Sequence, residues 1–233
     1  MKRVILPLLI IAFFIPKAHA QQFRVGIRAG AAITDVDGVD QIDNDNDFKK
    51  FGLAAGGYVS TKIAPRCSIQ MEIGYTQKGS QIPPDSTNNN NYYRLVLNYL
   101  DASVYLKQQI HINVNKKPND NIGLEFGASY GTLVGYSFTI KSIDYSTQFP
   151  HNTYDISLFV GIDYNITQNF YLCLRYANSV TPAIPRDNSA GIYGLNYGTY
   201  NRGNNLMFQF TLGYIFGTPS DAGTTSAAPT SSN

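Results

Sequence analysis

The sequence has no tryptophan, two cysteines, three histidines and only 15% charged residues among 233. Each shortage excludes something. Cys67 and Cys173 are too few for a small disulfide scaffold. One histidine, His19, lies in the N-terminal leader, so His111 and His151 remain, far apart in the chain. No HExxH, CxxC or GxSxG arrangement accompanies them, so the sequence names no catalytic, cofactor-binding or metal-ligating residues and implies no cofactor. A preponderance of one charge is also missing. Lys+Arg total 18 and Asp+Glu 16, but Lys2, Arg3 and Lys17 belong to the leader, leaving 15 basic against 16 acidic residues. A nucleic-acid binder needs a basic face to displace counterions, and this balance supplies none. Beyond residue 20 no apolar run approaches the roughly 18 residues of a membrane helix.

The leader itself, residues 1–20, has a basic start, an apolar run from Val4 to Ile15 and the small-x-small end Ala18-His19-Ala20. That is the layout of a cleaved secretory signal peptide. Residues 21–217 then form one domain, and residues 218–233, rich in Ser, Thr, Ala, Gly and Pro, read as a disordered low-complexity tail.

What is abundant points to β structure: 17 Tyr, 13 Phe and 20 Gly, a composition that suits strands better than a helical bundle. Period-two alternation recurs eight times, at 23–33, 51–63, 69–76, 100–112, 122–131, 154–166, 170–177 and 206–216. In the last of these, Leu206, Phe208, Phe210, Leu212, Tyr214 and Phe216 alternate with Met207, Gln209, Thr211, Gly213 and Ile215. Just before the fourth segment, Leu95, Leu97 and Tyr99 are out of phase with its apolar face. A bulge near Asn98 to Leu100 is expected to bring them back onto it.

The connections alternate in length. Those at 34–48, 79–91, 141–153 and 181–204 are long, whereas 65–66, 115–121 and 167–169 are short. Every long connection therefore falls on one rim and every short one on the other, the asymmetry of an up-and-down transmembrane barrel with short periplasmic turns. The expected fold is all-β: an eight-stranded antiparallel transmembrane β-barrel in the outer membrane. Its apolar faces touch lipid. Its glycine-rich faces enclose a narrow, plugged lumen that holds the strand charges Arg24, Arg28, Glu72, Asp101, Lys107, Glu125, Asp155, Asp163 and Arg175. Of these, Arg24, Arg28, Glu72, Lys107, Glu125 and Asp155 are the leading candidates for internal pairing. Tyr75, Tyr154 and Tyr176 at one end, and Phe23, Tyr164, Phe170 and Tyr214 at the other, are expected to form interfacial girdles.

Gly74-Tyr75-Thr76-Gln77-Lys78-Gly79, and Tyr99-Leu100-Asp101 followed by Leu106-Lys107, resemble signatures of the PorT-like family of outer-membrane β-barrels of Gram-negative envelopes. The glycine-spaced starts Val25-Gly26-Ile27-Arg28-Ala29-Gly30 and Phe51-Gly52-Leu53-Ala54-Ala55-Gly56 are similar too. Where that family has an apolar residue and a proline after the acidic position, this chain has Ala102-Ser103. The resemblance implies an eight-stranded barrel and no reaction.

The expected role is that of a non-enzymatic structural anchor. Its outer loops, 34–48, 79–91, 141–153 and 181–204, would meet an extracellular ligand or an envelope protein while its wall meets outer-membrane lipid. The alternatives are an accessory component of envelope protein secretion and a soluble lipocalin-like lipid carrier. Two loop features carry chemistry. The first loop holds Asp35, Asp37, Asp40, Asp43, Asp45 and Asp47, with alternating oxygen ligands in its second half. The glycine and distal glutamate of an EF-hand do not follow in register, so a solvated loop is expected and a weak divalent-cation site is the alternative. His151 and Ser146 offer a base and a nucleophile without a third, orienting group.

Overall fold

The computed structural model describes residues 23–37, 48–84, 86, 92–114, 117–148, 151–185 and 203–216, with side chains left out at 111–121. The leader, the tail and the centre of the acidic loop lie outside these residues. Ten strands are described: β1 (Phe23–Asp37), β2 (Lys50–Ala64), β3 (Cys67–Lys78), β4 (Gln81–Ile82), β5 (Tyr93–Val114), β6 (Lys117–Ile140), β7 (Ile143–Asp144), β8 (Tyr154–Asn165), β9 (Phe170–Ile184) and β10 (Gly203–Phe216). A single 3-10 turn, Ser146–Gln148, sits in the outer connection before β8.

Eight long strands form a ring in the order β5-β3-β2-β1-β10-β9-β8-β6, and a β5–β6 pairing closes it. Every pairing is antiparallel. The first and last strands join in continuous register from Val25 opposite Phe216 to Asp37 opposite Asn204. β4 and β7 are two-residue additions that flank the outer ends of β5 and β6.

The alternation decides which face is which. Along β10, Asn205, Met207, Gln209 and Thr211 are buried, while Phe208, Phe210, Leu212 and Phe216 are exposed. The same holds on β2, where Phe51 is 70% and Leu53 66% exposed beside buried Lys50 and Ala54. A soluble barrel would bury the greasy stripe around a cavity. Here that stripe is outside and the charges are inside, which removes the lipocalin-like alternative. The expected aromatic girdles are met in part, since Tyr176 lies opposite mid-strand Val160. Phe170, Tyr214 and Phe216 pack edge-on at the inner rim, and Tyr130 stacks on Tyr154 at the outer rim.

Three expectations need correction. Leu95, Leu97 and Tyr99 do not return to the lipid face. β5 keeps its phase, so these residues stay on the side of buried Asp101, Ser103 and Tyr105. The register shift lies on the partner instead: Asn98 pairs with Gly135 and Tyr99 with Leu133, leaving Val134 as the extra residue. Second, most of 115–121 is strand, since Val114 pairs with Lys117 and Ile112 with Asn119. The β5–β6 hairpin therefore runs past the barrel at both rims. Third, the outer loops are shorter than their spacing suggested. β1 extends to Asp37 and β9 to Ile184, β10 begins at Gly203, and β4 and β7 occupy parts of the second and third loops.

Residue size on the inner face follows from space. An eight-stranded wall leaves room only for interlocking small and large side chains. A Cβ on Gly26 would stand 2.3 Å from the Tyr58 ring, and one on Gly213 would stand 2.1 Å from the Tyr171 ring. These glycines are the sockets for the two tyrosines. Gly79 has another reason: its φ of +127° and the Leu95 carbonyl 2.2 Å from a built Cβ both exclude a side chain.

The exposed stripe makes a prediction. Val160 lies mid-strand on β8 and faces outward, so Val160→Arg is expected to lower stability by about 2–4 kcal/mol. Urea unfolding in lipid vesicles, followed by heat-modifiable gel migration, measures it. A neutral effect would mean that this face does not contact acyl chains.

Candidate functional site

The inner faces of the strands meet along the barrel axis and form layers. At the centre, β1 contributes Arg28, β3 Glu72, β6 Glu125 and β9 Arg175. Arg28 Nη2 lies 2.6 Å from Glu72 Oε1, and its Nε donates to the same oxygen at 2.9 Å. Arg175 donates from Nη2 and Nε to Glu125 Oε2 at 2.5 and 3.2 Å. Weaker pairs cross between them, Arg28 to Glu125 at 4.0 Å and Arg175 to Glu72 at 3.8 Å. Tyr105 donates its hydroxyl to Glu72 at 3.0 Å. The Arg175 guanidinium lies 4.7 Å from the Tyr105 ring centroid and 4.0 Å from that of Phe159. Two positive and two negative groups, all buried, thus balance one another. Arginine suits this place because its planar fork reaches two carboxylates and its face stacks on rings.

Toward the outer mouth, Lys78 donates to Asp155 Oδ2 at 2.6 Å. Asp155 is fully buried and also accepts from Ser157 at 2.6 Å, from Ser179, and from Asn205 Nδ2 at 3.1 Å. Lys78 sits 5.1 Å from the Tyr99 ring centroid. In the outermost layer Val36, Leu95, Leu97, Tyr99, Phe138, Ala183 and Ile184 form one buried apolar cluster, beside buried Asp35, Lys50 and Ser80. This cap is what the inward phase of Leu95, Leu97 and Tyr99 builds. Between the centre and the Lys78 layer lies a cavity of about 20 Å³, room for one water molecule.

Toward the inner mouth, Lys107 pairs with Asp163 at 2.6 Å and lies 4.9 Å from the Tyr171 ring centroid. The Tyr171 ring meets Tyr58 edge-on at 6.2 Å. Cys173 is buried, and its Sγ lies 3.6 Å from Glu125 Oε2. Beneath the two tyrosines the lumen widens into a cavity of about 450 Å³ that reaches the inner rim.

Five of the six charges singled out by alternation take part in internal pairs: Arg28, Glu72, Lys107, Glu125 and Asp155. Arg24 has no such partner among the described residues; it lines the inner cavity. Lys78 was missed as a lumen residue, although it continues the inward parity of Glu72, Gly74 and Thr76 one pleat further. Asp35, assigned to the acidic loop, is buried and accepts from Ser80 Oγ at 2.7 Å. Asp40, Asp43, Asp45 and Asp47 lie outside the described residues, as does the side chain of His111. No group of three or more His, Cys, Asp or Glu that could hold a metal occurs among the described residues.

The Ser146 hydroxyl donates to Asp144 and accepts from the Phe138 amide. Its hydroxyl and amide bonds hold the exposed Asp144 carboxyl below the usual range. His151 lies on the Tyr136 ring, centroids 3.7 Å apart. Ser146 thus has an acceptor, and no described geometry makes it a nucleophile.

The segment from Gly74 to Gly79 owes its residues to specific contacts. Tyr75 points outward and donates to Asn98 Oδ1 at 2.8 Å, and Gln77 donates to the same oxygen at 3.0 Å. Lys78 supplies the outer ion pair. Gly79 makes the turn, and its carbonyl accepts from Thr34 Oγ1 at 2.8 Å.

A closed antiparallel ring with an apolar outer band and a paired-ion interior defines a transmembrane β-barrel. The chain belongs to the outer membrane protein beta-barrel domain family, which it matches over residues 19–184, and this places it in the outer membrane. Solved structures similar to it are Ail, the attachment invasion locus protein of Yersinia pestis, in complex with the heparin analogue sucrose octasulfate (11% identity, 84% of this chain and 99% of that one, TM-score 0.43) and Neisserial surface protein A (14%, 82% and 96%, 0.40). OprG of Pseudomonas aeruginosa is a third (12%, 84% and 97%, 0.38). No curated protein sequence matches the chain.

The central quartet gives a second prediction. Glu125→Gln leaves Arg175 buried without its closest counter-charge and is expected to cost about 3–5 kcal/mol. The double variant Glu125→Leu/Arg175→Met is expected to recover most of that loss. Unfolding midpoints of the single and double variants measure the coupling.

Proposed function

We propose that this protein is a plugged outer-membrane anchor whose outer strands and loops present a surface for binding or adhesion. One observation supports the reading: among the described residues, packed inward side chains run from the Tyr58–Tyr171 pair to the apolar cap, and the void among the central charges is about 20 Å³. A barrel filled in this way is a poor conduit and a stiff support. Its outer end is stiffened further, because β4 and β7 widen the β5–β6 hairpin into a small sheet above the rim. The long loops add aromatic and asparagine-rich sequence, including 88–91 and Tyr193, Tyr197 and Tyr200. Rigid tyrosines beside adaptable polar residues are a composition that contact surfaces favour.

The signal-peptide layout of residues 1–20 supports export across the inner membrane with cleavage. The motifs at 74–79 and 99–107 support a place among PorT-like barrels. The same resemblance is the basis for the alternative role in protein secretion.

Two measurements test the reading. Purified protein in planar bilayers is expected to show no stable, large conductance steps, and their appearance would refute the plug. Deleting 186–202 is expected to abolish cell-surface binding while leaving heat-modifiable barrel and envelope secretion intact. Loss of secretion with surface binding preserved would favour the secretion role instead.

A further inference from the structure

The central and Lys78 layers of the lumen pair their basic groups with carboxylates. The central layer has two arginines against two glutamates, and outside it Lys78 meets Asp155. The inner cavity is different. Arg24, Lys62, Arg66 and Lys107 line its wall, and among the described residues no aspartate or glutamate does. Lys107 is shared with Asp163 above the cavity. Among the described residues, no carboxylate lies within ion-pair distance of Arg24, Lys62 or Arg66.

The cavity is also built like a receptacle. Its roughly 450 Å³ falls within the size range of small-molecule sites. At its deep end Tyr58 meets Tyr171 edge-on, and Lys107 turns away from it toward Asp163. Ser60, Gln70, Gln109 and Thr167 add hydroxyl and amide groups to the wall. Like charges gathered at one mouth repel one another and do nothing for the stability of the empty barrel. A cleft of one sign with low-dielectric walls concentrates ions of the other sign, and arginine forks bind oxyanions through paired hydrogen bonds.

We propose that the inner mouth is a binding site for a small polyanion bearing phosphate or carboxylate groups, presented from the periplasmic side. Arg24 and Arg66 grip the oxyanion, Lys62 adds charge at the rim, and the Tyr58–Tyr171 pair sets the depth. The site is independent of any partner at the outer loops. It shares with the anchor reading only the Tyr58–Tyr171 pair.

The protein carries its own reporter. Cys67 lines the cavity and is partly exposed, whereas Cys173 is buried. In the full chain, refolded in detergent, a negatively charged methanethiosulfonate reagent is expected to label Cys67 at least about tenfold faster than a positively charged one. Inorganic pyrophosphate at fixed ionic strength is expected to slow that labelling saturably, and calorimetry should give one site per barrel. Arg24→Gln/Arg66→Gln should abolish both the rate preference and pyrophosphate binding while heat-modifiable migration persists.

Competition by citrate ranks carboxylate against phosphate. Nanodiscs with and without phosphatidylglycerol separate the sources: unchanged pyrophosphate affinity assigns a soluble anion, and competition assigns a lipid headgroup. Equal labelling rates, unsaturable binding, or binding that survives in the double variant would overturn the site. None of these outcomes depends on conductance or surface binding, so the proposal can fail while the anchor reading stands, and the reverse.

Discussion

Hydrocarbon has no hydrogen-bond partner to offer a peptide group. A sheet within it must leave no edge, and every other feature of this molecule follows from meeting that demand. The β1–β10 ladder meets it, running from Val25 opposite Phe216 to Asp37 opposite Asn204. Once the wall is closed, its two faces meet opposite media. Strand periodicity then separates the residues, with Phe, Leu, Val and Ile against acyl chains and charge against charge inside. Near the bilayer midplane the outer surface could not carry a charge such as Arg28 without heavy cost, so the ionic groups of the central layers go inside.

That place is narrow, and its narrowness explains why the interior holds pairs. A buried guanidinium without a carboxylate would cost more than the barrel gains from any single contact. Arg28, Glu72, Glu125 and Arg175 therefore come as a set, and aromatic rings fill the space their charges leave. Glycines at 26 and 213 are the complement of Tyr58 and Tyr171; removing either member of such a couple alters both. Outside the central layer comes the Lys78–Asp155 layer, and beyond it an apolar cluster takes up the outer mouth beside buried Asp35 and Lys50.

The fold was legible because a period-two signal survives in every long strand and because the connections alternate in length. Five of six charges were placed correctly by that parity alone. The failures share a cause. Leu95, Leu97 and Tyr99 are apolar residues on the lumen side, and parity assigns a face without saying what medium it meets at a given height. Above the rim, an inward apolar residue packs against others, as in a soluble core. Val134, the actual extra residue, lies on the neighbouring strand and leaves no mark in β5. Lys78 fell one pleat past where the alternating run was taken to end. Asp35 looked like a loop acid because it heads an acidic stretch; only Ser80, brought beside it by the Gly79 turn, makes it an interior group. The inner cavity was invisible for a different reason. Arg24, Lys62, Arg66 and Lys107 come from different segments, and only the closed ring gathers them.

The unequal strand lengths also bear on how such a wall is put together. β5 and β6 are two residues apart in the chain and share the longest ladder in the molecule, so little chain entropy opposes their meeting. β1 and β10 sit at opposite ends of the barrel sequence, and bringing them together demands the largest loop of all. The seam that makes the structure tolerable to lipid is thus the one that diffusion of the chain resists most, and until it zips, the nascent sheet carries two raw borders into the bilayer.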